Sequence, residues 1–213
     1  MGKVVVDITT SLDGFVAGAN DGPELPLGEG GERLHQWVYD LASWREPHGL
    51  AGGKANQDSE VLEEALGSAG AVVVGRRMFD NAQGWGDNPP FHVPVFVVTH
   101  ETRETEAKEG GTTFTFVTDG VERAVEQAKA AAGGKNVTVG GGASTIQQCL
   151  KAGLVDELQV HIAPLFLGEG VRLFDDLGAE QIELEGTRVI SSPEVTHLRF
   201  RVARASSVRS QGG

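Results

Sequence analysis

Three consecutive glycines, Gly140-Gly141-Gly142, stand between the apolar run Val137-Thr138-Val139 and the segment Ala143-Ser144-Thr145-Ile146-Gln147. Glycine weakens both strands and helices, so a bare backbone at this junction calls for a reason. A strand that ends in glycines and feeds a helix presents unpaired N–H groups and the positive end of the helix dipole. Without side chains in the way, a phosphate can approach that backbone closely. Residues 140–145 therefore read as a phosphate or pyrophosphate cradle, although the same pattern also makes a tight turn with no ligand. Ser144 and Gln147 have the spacing of a capping box, and Gly153 is placed to stop the helix. The pattern is not the dinucleotide fingerprint, whose last glycine would fall where Thr145 stands. It also lacks the Gly-Lys-Ser/Thr ending of a Walker motif.

A second glycine junction, Gly75-Arg76-Arg77, ends another apolar run. Adjacent arginines at a helix start oppose the dipole, so they are either solvated or matched with anions. A guanidinium in this position suits a phosphate, in particular the 2′-phosphate that distinguishes NADP from NAD. Thr99 ends a third run, and all three junctions would lie at the carboxyl ends of strands, where open α/β sheets bind ligands. Asp13 precedes Gly14 and reads equally as a turn residue. Asp40 lies on a helical face, where a carboxylate is ordinarily solvated. Trp85, in Gly-Trp-Gly-Asp, is a candidate wall for a planar substrate, whereas Trp37 reads as core. Cys149 falls on an apolar helical face and reads as a small core residue. The six histidines show no metal-ligand spacing, and His161 reads as a sheet or interface residue. No Gly-x-Ser-x-Gly is present, which argues against a serine hydrolase.

These residues need elements to hold them. Strands are predicted over residues 4–10, in the apolar runs ending at Gly75 and Thr99, near residues 112–118, before Gly140, and over 156–167. Helices are predicted over 32–44, 58–66, 121–132 with Asp119 as its N-cap, and 144–152. Residues 181–190 and 196–203 form a closing antiparallel pair. Alternating strands and helices followed by strands alone imply an α/β fold with a mixed, mostly parallel sheet flanked by helices and antiparallel C-terminal strands. The 213 residues suit one domain, residues 1–204, with a flexible tail at 205–213.

The charge balance narrows the partners. A net charge of −12 disfavours nucleic acid and anionic membranes, which need a positive footprint. It leaves room for a small anion held by local dipoles. No apolar run reaches membrane-spanning length. One cysteine allows no internal disulfide, and the N-terminus has no signal-peptide pattern, so a cytoplasmic protein is expected.

In this order the motifs resemble the dihydrofolate reductase superfamily, and within it the RibD C-terminal reductase domain of riboflavin biosynthesis. The resemblance rests on "TTSLDGFVAG", "VVVGRRMFD", "VPVFVVTH" and "VTVGGGASTIQQCLKAGLVDELQVHIAPLFLGEGVRLF". It implies a dihydrofolate reductase-like sheet and an NADPH-dependent reductase acting on a small heterocyclic substrate, similar to 5-amino-6-(5-phosphoribosylamino)uracil reductase. A dihydrofolate or flavin reductase, or a nucleotide-binding protein without turnover, are the alternatives on the same fold. Residue by residue, it implies that Gly140, Gly141, Gly142, Ala143, Ser144 and Thr145 hold the pyrophosphate. Gly75, Arg76 and Arg77 take the adenosine phosphates, with Thr99 beside the ribose phosphate. Thr10 and Ala17 edge the nicotinamide. Asp40 and Asp13 are the candidate catalytic carboxylates, Trp85 the candidate substrate contact, and a homodimer through the late strands the implied assembly.

Overall fold

A computed structural model describes residues 2–179 and 181–203. The predicted tail at 205–213 lies outside them. Strand β1 (Val4–Ser11) and the short β2 (Phe15–Ala17) open the chain. Two one-turn helices, α1 (Gln36–Tyr39) and α2 (Ala42–Arg45), lead to α3 (Gln57–Ser68). Then come β3 (Ala69–Gly75), α4 (Arg76–Asn81), β4 (Pro94–Val98), β5 (Glu106–Ala107) and β6 (Thr113–Val117). Helix α5 (Gly120–Ala131), β7 (Asn136–Gly141) and α6 (Ala143–Lys151) follow. The described part ends with β8 (Glu157–Ala163), β9 (Val171–Arg172), β10 (Leu184–Ser191) and β11 (Thr196–Val202).

Nine strands form one sheet in the order β10-β11-β8-β1-β7-β3-β4-β6-β5. The six from β8 to β6 run parallel, while β10, β11 and β5 add antiparallel edges. This is the mixed, mostly parallel sheet expected from the alternation of elements. Strand β1 buries both faces, with Val4 and Val6 on one and Val5 on the other. Helix α5 lays Val121, Ala124, Val125 and Ala128 on the first face, at helical spacing. Helix α6 adds Ile146, Cys149 and Leu150 to the same core. Burial, with Glu122 next, pushes the Cys149 thiol up to about 12, so this cysteine is packing and not a nucleophile.

Three local expectations are corrected. The helix predicted over 32–44 is broken into a 3-10 turn (Gly31–His35), α1 and α2. Lys54 causes the break: its N–H donates to Asp40 O and its carbonyl accepts from Ala42 N, which draws Leu41 into extended backbone. The predicted capping box at Ser144 does not form, because α6 begins one residue earlier with Gly142 as N-cap. Gln147 instead donates to the carbonyls of Arg172 and Leu173. Finally, β8 stops at Ala163, ahead of Pro164, and not at 167. Gly153 does end α6, with φ 64° and a following Leu154 N–H returned to Cys149 O.

Candidate functional site

The carboxyl ends of the parallel strands form a continuous rim. From one side to the other it carries Ala163-Pro164 at the end of β8, Thr10-Ser11 at the end of β1, Gly140-Gly141 on β7, Gly75 on β3 and Thr99 after β4. Five segments far apart in sequence are thus brought to one edge by the crossover that threads β7 between β1 and β3.

The glycines are required there, each for its own reason. Gly141 has φ 129°, outside the range of ordinary side chains, and a Cβ on it would meet Met78 Sδ at 3.1 Å. The Gly141–Gly142 peptide is cis. A Cβ on Gly75 would run into Thr145 Oγ1, so β3 and α6 touch through this glycine. A Cβ on Gly142 would meet nothing within 4 Å, so the loop faces open space at the start of α6. Helix α6 has no side-chain cap at this end. A pyrophosphate would fit a bare, uncapped helix start that opens onto free volume. Ala143 and Thr145 are buried behind the loop, and Ser144 Oγ accepts from Gln148.

The two arginines diverge. Arg76 points along the rim: its Nη1 lies 3.4 Å from Thr99 Oγ1 and 2.8 Å from Glu101 Oε2. Its Nε lies 2.8 Å from both oxygens of Asp80. Arg77 turns to the loop after β2, where it grips Asp21 at 2.6 and 2.9 Å. The structure therefore joins Arg76 with Thr99 and sets Arg77 apart. Thr10 is buried at the end of β1, and Ala17 is buried on β2, which pairs with β9.

On the β8 side of the rim lies a cleft of about 560 Å³ lined by Arg33, Gln36, Trp37, Asp40, Pro164 and Leu165, among others. Asp40 is exposed on it, 3.6 Å from Lys54 Nζ. Tyr39 also lines it, and burial, then Glu32, raises its hydroxyl above the ordinary tyrosine value. Asp13 lies elsewhere. Its carboxylate accepts from Ser11 Oγ at 2.5 Å, Leu167 N at 3.1 Å and Gly168 N at 2.8 Å. Desolvation pushes this carboxyl up, but these donors outweigh it and hold it below the ordinary value. Asp13 thus ties the turn after β1 to the segment after β8.

Trp37 is core, as expected, with Val38, Leu41 and Val195 beside it, while Trp85 is packed into an aromatic cluster. Trp85 packs among Phe79, Phe91 and Phe114 on the far side of β3 and β4. Trp37, although 4% exposed, forms part of the cleft wall. Sequence reasoning also passed over Glu101 and Asp21, the carboxylates that hold Arg76 and Arg77. Nothing in their spacing announces a pairing across 25 and 56 residues. No group of metal-ligating side chains is found among the described residues. No helix among them is long and apolar enough to cross a membrane.

The fold recurs in solved structures. A candidate riboflavin biosynthesis protein from Shewanella sp. PV-4 superposes with a TM-score of 0.65 at 20% identity, over 95% of this chain and 99% of that one. The Saccharomyces cerevisiae riboflavin biosynthesis reductase Rib7 gives 0.57 at 15% identity, over 95% and 90%. Dihydrofolate reductase from Enterococcus faecalis, complexed with NADP(H), gives 0.54 at 11% identity, over 95% and 98%. The architecture is therefore dihydrofolate reductase-like. The family model of the RibD C-terminal domain matches residues 2–198, and the chain belongs to that family.

Proposed function

We propose that this protein is an NADPH-dependent reductase that delivers a hydride to a small heterocyclic substrate, of the kind reduced in riboflavin biosynthesis. The observation that carries the reading is the rim itself. An uncapped helix start with Gly142 facing open space, the Gly75–Thr145 contact and the Arg76–Thr99 pair lie on adjacent strands, in the order a dinucleotide would need. Gly140 to Thr145 would hold the pyrophosphate, and Gly75, Arg76 and Thr99 the adenosine end, with Arg77 as an outer contact. Thr10 and Ala17 would border the nicotinamide, beside the cleft on the β8 side. When bound, NADPH supplies the hydride. The chain's own part is to bind, orient and exclude water. Of the candidate carboxylates, Asp40 is the one on the cleft and so the one able to engage substrate or relay a proton from water. Asp13 acts at one remove, by holding the loop. The aromatic wall for a planar ring is better assigned to Trp37 than to Trp85. The exposed edge strand β10, with Val189 at 69% exposure, is the surface for the expected homodimer.

Titration with NADPH and NADH, followed by nicotinamide fluorescence, tests the reading. Saturable binding with NADPH preferred is expected. No binding of either nucleotide would reduce Gly140-Gly141-Gly142 to a turn and remove the reductase reading with it.

A further inference from the structure

Beneath the cleft, four titratable side chains form an unbroken chain. Asp7 Oδ1 lies 3.0 Å from His161 Nε2. His161 Nδ1 lies 2.6 Å from His197 Nδ1. His197 Nε2 lies 3.1 Å from Asp58 Oδ1. The four come from β1, β8, β11 and α3. In register, His161 stands opposite both Thr9 of β1 and His197 of β11, on the sheet face that α3 covers. Both imidazoles are buried, at 3% and 4% exposure.

Counting protons shows what this arrangement demands. Three hydrogen bonds need three hydrogens. Two neutral imidazoles carry two, and two carboxylates carry none. If each Nε2–H serves its carboxylate, two Nδ1 lone pairs face one another at 2.6 Å, which is repulsive unless a third proton lies between them. A metal ion is not a substitute: two nitrogens at ordinary zinc distances stand about 3.3 Å apart in tetrahedral geometry, wider than this gap.

We propose that His161 and His197 share one proton across their Nδ1 atoms, and that this protonated pair positions Trp37, the wall of the cleft. The indole rests on both rings, with centroids 5.0 Å from His161 and 5.1 Å from His197. It is one residue that belongs at once to the histidine cluster and to the cleft lining. Loss of the proton sets the two lone pairs against each other. The rings then part, and Trp37 moves with them. His161 and His197 are positioning residues: they act on the cleft through the indole.

The surrounding charges agree with a single proton. Burial pushes His197 down, Asp58 pulls it up, His161 pushes it down and Asp7 pulls it up, with a net lowering that disfavours a second proton on the pair. From the turn before α1, His35 faces the cluster with its Nδ1 unpartnered. Burial, then His161, lowers it to about 4, so it is neutral at physiological pH and adds no competing charge. Farther along the same face, Gln159 donates to Asp7 at 3.3 Å. Glu157 and Glu64 are both bound by Arg199, at 2.9 and 2.6 Å.

The test is nitrogen-15 NMR on the unmodified chain across the neutral to alkaline range. One strongly deshielded proton correlated with two imidazole Nδ1 nitrogens is expected, and its loss on raising pH should coincide with a shift of the Trp37 indole N–H. Trp44→Phe and Trp85→Phe identify that signal by elimination. Asp58→Asn, which removes one flanking charge, should move both transitions together to lower pH by about one unit, a tenfold loss of proton affinity. Two independent neutral imidazoles with no shared proton would overturn the proposal. So would a Trp37 signal that stays flat while the shared proton is lost. Both readings come from chains that keep Asp58, so they stand even if Asp58→Asn fails to fold.

Discussion

Glu101→Gln is the substitution that most directly tests the corner assigned to the adenosine phosphate. Arg76 Nη1 is held there by Glu101 Oε2 at 2.8 Å and faces Thr99 Oγ1 at 3.4 Å. A 2′-phosphate docking on the same nitrogen would put its double negative charge about 6 Å from the Glu101 carboxylate. For Glu101, whose side chain is 73% exposed, the dielectric is close to that of water. The repulsion is then about 1.4 kcal/mol before screening and about half of that at physiological ionic strength. The glutamine keeps the length and a hydrogen-bonding oxygen but removes the charge. NADPH should therefore bind about three- to tenfold more tightly, while NADH, with no phosphate at this position, should be nearly unchanged. The assay is a pair of fluorescence titrations on wild type and variant at matched salt, repeated at high salt, where the gain should shrink. Arg76→Ala is the counterpart: it should weaken NADPH more than NADH. An NADPH-to-NADH affinity ratio that stays constant through both substitutions would refute the assignment, because nothing else in the argument couples Glu101 to the phosphate.

Other consequences are as direct. Gly75→Ala sets a methyl against Thr145 Oγ1 and should cost about 1–3 kcal/mol in denaturant unfolding while weakening nucleotide binding, since it wedges β3 from α6; a stable variant with intact binding would remove the close-approach argument. Asp13 is held below its ordinary value in the fold, so its bonds stabilise at pH above the unfolded carboxyl's titration and are lost as pH falls through the folded one. Asp13→Asn should thus lower Tm at neutral pH, with the gap closing as pH falls below the ordinary carboxylate range, and melts from neutral to acid pH check the sign. Trp85→Ala should cost about 3 kcal/mol by emptying the Phe79–Phe91–Phe114 cluster, and calorimetry that finds it neutral would return Trp85 to the candidate substrate contacts.

The sequence made the glycine rim of the candidate site legible and hid much of the cleft, for a physical reason. A cradle built from backbone has a one-dimensional signature, because the residues that allow it are consecutive: strand, glycines, helix. Gly75-Arg76-Arg77 and Thr99 are legible likewise, as strand ends marked by a break in apolar character. The cleft is not built this way. Asp40 and Trp37 sit on a helix that the sequence predicts as continuous and that Lys54 interrupts through backbone bonds from outside it. No local pattern encodes that interruption. The capping box expected at Ser144 failed for the opposite reason: the glycines let α6 start early, and Gln147 found the carbonyls at the end of β9. Asp7 left a trace, as a carboxylate inside an apolar strand. Its partners His161 and His197 are separated from it by 154 and 190 positions and meet only through strand register.

The electrostatics of the rim show how so acidic a chain could accommodate the polyanion of the proposed function. The side-chain cations beside the cradle are already matched: Arg76 by Asp80 and Glu101, Arg77 by Asp21. Two guanidinium groups thus face three carboxylates, so their combined field is not positive and contributes no net attraction of its own. The positive field left without a side-chain partner is that of the backbone, at the uncapped start of α6. Affinity for a pyrophosphate, under the proposed function, would then be a property of the glycine loop, largely independent of the net charge of −12. The choice between two nucleotides that share the pyrophosphate would belong to the balance between Arg76 and Glu101. The two properties sit on different strands and different chemical groups, so each can change without disturbing the other.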